Sequence, residues 1–253
     1  MNPTFPRHPI SLALAWSLLL GTASSHALIL IQHQGANSPT GSEGWILGAS
    51  GGGVLTGPID DAGTPAWFTD DNSTASGSVA IFEYHLTNDE LTDVQNNGWE
   101  TSARLRIVDG PANGQGSTFF GFSHETTGFL VLFGQQADGD PVVYPFQTGF
   151  SGPSYVLEGA GSGYHTFSLV YDVSSGSADL FADGVELASD YTGYSLSGGG
   201  YVSWGAASGG LTGQGNFNQV SFSSVPEIGA TPVVCAMALA AFGAWHRARP
   251  RRT

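Results

Sequence analysis

Apolar and polar residues alternate with a period of two through most of the chain, in short runs broken by Gly, Asn, Asp, Ser and Pro. A helical 3.6-residue period never lasts beyond a turn or two. Ala80, Phe82, Tyr84 and Leu86 fall on one side of such a run, with Val79, Ile81, Glu83 and His85 on the other. Ala103, Leu105 and Ile107 alternate in the same way with Arg104 and Arg106. Further strands are read at residues 118–123, 128–134, 141–146, 155–158, 164–172, 178–182, 185–189, 201–206 and 217–223. Two of them flank Asp183-Gly184, a dipeptide suited to a type I′ hairpin because both central positions need positive φ. One short helix is expected over residues 88–95, capped by Asn88, with Glu90 in its first turn. Ten or more short strands with tight turns predict an all-β sandwich, most simply a jelly roll.

Two stretches break the alternation. Residues 10–21 form an uncharged run behind Arg7 and His8, followed by small residues at Ser25 and Ala27. This is the order of a secretory signal helix, and 12 residues are too few to span a bilayer core of about 30 Å. The mature chain is expected to begin at Leu28. Near the other end, residues 228–245 carry no charge. As a helix they rise about 27 Å, enough for a transmembrane segment. Arg247, Arg249, Arg251 and Arg252 follow and would hold that end on the cytoplasmic side. The chain therefore divides into a signal peptide (1–27), a β domain (28–224) and a tail (225–253).

Val225-Pro226-Glu227, the apolar span and the terminal arginine cluster together resemble the PEP-CTERM sorting signal. The family motif usually carries a second proline, where this chain has Ile228. The resemblance implies recognition by an exosortase-type sorting enzyme, with the body outside the cytoplasmic membrane and only transiently anchored. An ordinary single-pass anchor is the alternative.

Charge narrows the partners. The chain has seven basic residues, all arginine, and 21 acidic ones. The body keeps Arg104 and Arg106 against 20 acids, close to −18. Nucleic acid needs Lys and Arg to displace its counterions, so it is excluded as a partner. Cys235, the single cysteine, lies in the tail, so the body has no disulfide.

Residues 163–172, then 177–187 (SADLFADGVEL), then Val202-Ser-Trp-Gly-Ala206, then 216–222 resemble the closing strands of concanavalin A-like and LamG sandwiches. That fold serves lectins, carbohydrate-binding modules and some glycosidases, and does not choose among them. The Glu-x-Asp-x-x-Glu strand of laminarinase-type glycosidases is absent, as is a Gly-x-Ser-x-Gly elbow. His33, His85, His124 and His165 show no metal-ligand spacing.

Two kinds of candidate remain. Trp67, beside Asp70-Asp71, and Tyr191 and Tyr194, in a polar glycine-rich segment, are the rings expected to stack on sugars. Trp99 and Trp204 read as core. Asp70, Asp71, Asp138 and Asp140 supply loop oxygens of the kind calcium takes, and the LamG resemblance implies a rim calcium; solvated loop side chains are the alternative. Arg104 and Arg106 share one strand face, either to clamp an acidic polysaccharide or to pair with nearby acids. The expectation is an exported, non-enzymatic surface or exopolysaccharide-associated protein that binds a glycan or calcium. A carbohydrate-active enzyme with an unfamiliar site, or a purely structural envelope component, are the alternatives.

Overall fold

Along residues 99–107 every second side chain is buried, as expected of a strand covered on one face. The structure, a computed structural model, describes residues 27–73 and 76–225. In it such strands form two antiparallel sheets. The first runs β13 (Val185–Tyr191), β12 (Ser177–Ala182), β11 (His165–Asp172), β6 (Trp99–Asp109), β16 (Gly213–Ser224), β4 (Thr64–Asp71), β3 (Leu55–Asp61). β1 (Leu28–Gln34) pairs with the second half of β16. The second sheet runs β10 (Tyr155–Val156), β9 (Pro141–Pro145), β8 (Thr127–Gln135), β7 (Thr118–His124), β15 (Tyr201–Gly209), β5 (Ser76–His85), β2 (Ile46–Gly51). β14 (Tyr194–Ser195) adds to β8. Two helices, α1 (Pro39–Ser42) and α2 (Asn88–Asn97), lie between strands. The result is an all-β sandwich of jelly-roll type.

The inner faces supply the core. Leu105, Phe167, Phe217 and Phe222 of the first sheet meet Phe120, Phe133, Val202 and Trp204 of the second, all fully buried. Trp99 and Trp204 are core residues, as their strand contexts predict. The hairpin at Asp183-Gly184 has φ of 49° and 78°, the positive values that the dipeptide calls for. Helix α2 covers the expected segment, but its cap is Thr87 and not Asn88. The Thr87 hydroxyl accepts from the Glu90 N–H while the Glu90 carboxylate accepts from the Thr87 N–H, a reciprocal box that Asn88 cannot form one residue later. Strands β1 to β4 are not among the expected strands; β2 and β3 contain glycine, β3 and β4 proline, and the four take their order from pairing with β16, β5 and one another.

The signal and tail segments lie outside the described residues except for Ala27 and Val225. The Val225 N–H donates to Gly98 O at 3.1 Å. Among the described residues no helix is long and apolar enough to cross a membrane.

His33 on β1 is fully buried, stacked on Trp204 at 4.8 Å, with Nδ1 2.6 Å from Glu43 Oε2. Burial holds its imidazole below the ordinary value of 6.5, against the raising effect of Glu43. His124, next to Glu125, is lowered by burial in the same way. As pH falls through 6.5 the unfolded chain takes these protons before the folded one, so stability falls; above 6.5 neither state holds them and nothing is lost. The urea midpoint is expected to drop between pH 7.5 and 5.5, by on the order of 1 kcal/mol in stability. Replacing both histidines by Gln should flatten that drop. An unchanged native midpoint across this window would refute the buried neutral imidazoles.

Candidate functional site

Strands β7, β8 and β9 contain nearly continuous apolar runs, and the structure covers or lines both of their faces. Phe119, Leu132 and Tyr144 form a second buried cluster on the outer face of the second sheet, joined by Ile81, Leu130 and Phe146. Register builds a groove there. Since Phe120, Phe122, Val202 and Trp204 point to the core, their neighbours point outward. The outward rows are Ser123–Tyr201–His85, Gly121–Ser203–Glu83 and Phe119–Gly205–Ile81 across β7, β15 and β5. Ser203 lies on the groove floor, and Gly121 and Gly205 beside it in these rows carry no side chain.

Larger side chains rise on either side and enclose about 290 Å³. One wall holds Leu130, Leu132, Phe146, Phe150 and Tyr194; the other holds Ile81, Glu83 and Tyr201. The Phe146 ring meets Tyr194 edge-on at 4.8 Å and Phe150 at 5.0 Å. Burial pushes the Tyr194 phenol up to about 12, so it stays a neutral donor. Phe150 is 42% exposed and has φ +53°, a left-handed backbone that a bulky side chain rarely takes. At the polar end His85 Nε2 is 3.1 Å from Glu83 Oε2, and the His85 ring lies 5.4 Å from Tyr201. Among the described residues no hydrogen bond joins His85 to a serine hydroxyl.

Of the three rings expected to stack on sugars, Tyr194 lines this groove and the other two do not. Tyr191 is 4% exposed. Its hydroxyl donates to Phe146 O at 2.6 Å and accepts from the Leu130 N–H at 3.3 Å, so it is a strut beneath the groove wall. Its polar, glycine-rich surroundings made it look exposed. Trp67 faces the interior of the first sheet, edge-on to Phe82 and His33, with its indole N–H donating to Thr56. Phe150, Phe146 and Tyr201 are not among the expected site residues. The signal in the sequence is the unbroken apolar run at residues 129–133 with the phenylalanines at 119, 120 and 122, which imply cover on both faces.

The acidic residues take other roles. Asp140 accepts from the N–H groups of Gly161 and Gly159 at 2.7 and 2.6 Å, which lowers its pKa and ties down the loop after β10. Asp138 accepts from the Asp140 N–H at 3.3 Å, and the buried Asp71 from the Ser73 N–H at 3.2 Å. Asp70 lies on β4 opposite Gln214. Among the described residues no three His, Cys, Asp or Glu side chains are grouped as metal ligands. On the outer face of the first sheet, Asp61 receives Arg106 at 2.6 Å, Tyr164 at 2.9 Å and Asn216 at 2.8 Å. Arg104 binds the Asn218 amide oxygen and lies 4.9 Å over the Tyr164 ring. The two arginines therefore do not form a common clamp. His165 pairs with Asp183 at 2.7 Å beside the hairpin.

No protein-family model and no curated protein sequence matches the chain. Among solved structures it is similar to a carbohydrate esterase from the Shiga toxin-encoding bacteriophage phi24B, with a TM-score of 0.58 at 14% identity over 79% of this chain and 100% of that one. A protein of unknown function from Shewanella oneidensis MR-1 aligns with a TM-score of 0.48 at 11% identity, over 88% and 97% of the two chains. Botulinum neurotoxin type C, in work on its interaction with two ganglioside molecules, aligns at 0.47 and 9% identity over 83% of this chain. The chain spans about half, 51%, of that neurotoxin structure. At such identities the first likeness is one of fold.

Proposed function

We propose that this is an exported glycan-binding protein that holds a carbohydrate in the groove of the second sheet, without turning it over. The observation that carries the reading is the groove itself, with Ser203 on its floor between an aromatic wall and a polar one. Sugars offer apolar ring faces and hydroxyl edges. Phe146, Phe150 and Tyr194 supply apolar area, and Ser123, Ser203, Tyr201 and Glu83 supply hydrogen-bonding groups. The fold is shared with a carbohydrate esterase, which supports carbohydrate as the ligand class. The terminal segments support export, with the tail passed to an exosortase-type sorting enzyme and the body left at the cell surface or in an exopolysaccharide matrix. The Glu83–His85 pair beside Tyr201 favours a second reading, acid–base action on a bound glycan.

The test uses native protein recovered from outside the cell, with its N-terminus determined and then applied to a glycan array. A chain starting at Leu28 that retains glycans without releasing reducing ends or fragments is the expected result. A chain still starting at Met1 would end the export reading, no retained glycan would end the binding reading, and released fragments would move the assignment to the enzyme. Phe150→Gly sharpens the test, because glycine relieves the left-handed backbone while removing the ring. Its stability should stay within about 1 kcal/mol of the native chain, while affinity falls about tenfold. Unchanged affinity would remove Phe150 from the site.

A further inference from the structure

Among the described residues Glu83 is the one Asp, Glu, Lys or Arg lining the groove, and it is a carboxylate. Its side chain is 19% exposed. Oε2 is met by His85, while Oε1 has no hydrogen-bond partner among the described residues. Room for it is built in: Gly48 sits at a bulge of β2 opposite β5, where a Cβ would overlap the Glu83 carboxyl group. The two cations of the body, Arg104 and Arg106, are on the outer face of the other sheet and engaged there. Among the described residues no arginine lines the groove, and His85 on Oε2 is the one basic side chain beside Glu83, in a body close to −18.

We propose that the ligand is a glycan carrying free amino groups, a hexosamine polymer, whose ammonium is met by Glu83 Oε1. This rests on the glycan reading of the groove and narrows it. An ammonium supplies the donor and the charge that a half-buried carboxylate lacks, and a charge-assisted hydrogen bond is the stronger kind. The surrounding negative potential attracts such a polymer and repels polyuronates and sulfated chains. The aromatic wall takes the apolar face of the same sugar ring.

The experiment is calorimetric titration of the mature protein at fixed ionic strength, at a pH where the amines are charged. Its probes are glucosamine hexamer, N-acetylglucosamine hexamer, cellohexaose and an oligouronate. Glucosamine hexamer should bind at least about tenfold tighter than the others. Glu83→Gln should remove that preference, while Glu186→Gln, which takes the same charge from the exposed β12–β13 hairpin, should change affinity less than about twofold. Equal losses in the two variants would mean attraction by overall charge, and the site would fall. Equal binding of cellohexaose or the N-acetylated hexamer would overturn the amino-sugar assignment and leave the groove reading standing. If no probe binds, the amino-sugar assignment falls, and retention on the glycan array decides the groove reading separately.

Discussion

Replacing Trp204 by Ala is expected to lower the unfolding free energy by about 3–5 kcal/mol, the range for a large aromatic deleted from a packed core. Trp204 is fully buried at the centre of an inter-sheet cluster. It stacks on Phe82 at 4.6 Å and on His33 at 4.8 Å, meets Trp45 edge-on at 5.9 Å, and lies 4.9 Å from Phe217. The cluster draws on β1, β5, β15 and β16, so both sheets close on one side chain and neither can collapse into the space without shifting the other. Without a disulfide in the body, burial of this kind carries the stability of the fold. Trp204→Phe keeps the ring and drops an indole N–H that has no partner in the core, so it should cost less than about 1.5 kcal/mol. Urea unfolding of both variants is the measurement. A loss under about 1 kcal/mol for the alanine variant would show that the sheets do not close on Trp204.

The second large effect is expected at Gly205, where alanine should cost about 2–4 kcal/mol, from backbone strain together with overpacking. Gly205 has φ +134°, a region L side chains seldom adopt, and a Cβ there would overlap the backbone carbonyl oxygen of Ala80 on β5. Relief requires β5 and β15 to part, because the obstacle is backbone and has no alternative rotamer. The same residue lies in register between Ile81 and Phe119, two residues that line the groove. Glycan affinity should therefore fall with stability, unlike Phe150→Gly, where affinity alone falls. A Gly205→Ala variant with native stability would mean that the two strands are not held at this spacing.

Acidity and strand content follow from local properties of the chain. A two-residue period reports a strand wherever one face is buried, which is why the expected bounds of β11 and β12 agree with the observed ones to within a residue, while β5 and β6 extend beyond the alternation that marks them. Asp183-Gly184 was readable because a two-residue turn depends on its own φ angles and little else. The strand contexts of Trp99 and Trp204 placed both in the core for the same local reason.

Other features depend on which strands become neighbours, and alternation is silent on that. Tyr191 sits in a sequence that looks like surface, yet pairing of β13 with β12 turns its ring under the groove wall. Trp67 looked exposed beside two aspartates until β4 joined β16 and turned it toward Phe82 and His33. The groove is the clearest case. Ile81, Glu83, Phe119, Leu130, Phe150, Tyr194 and Tyr201 come from five strands and one connecting segment, and no short window contains its pattern. A period of two shows that each strand has two faces. Only register and sheet order, settled by hydrogen bonding and burial across the whole body, decide which outward-facing side chains lie side by side.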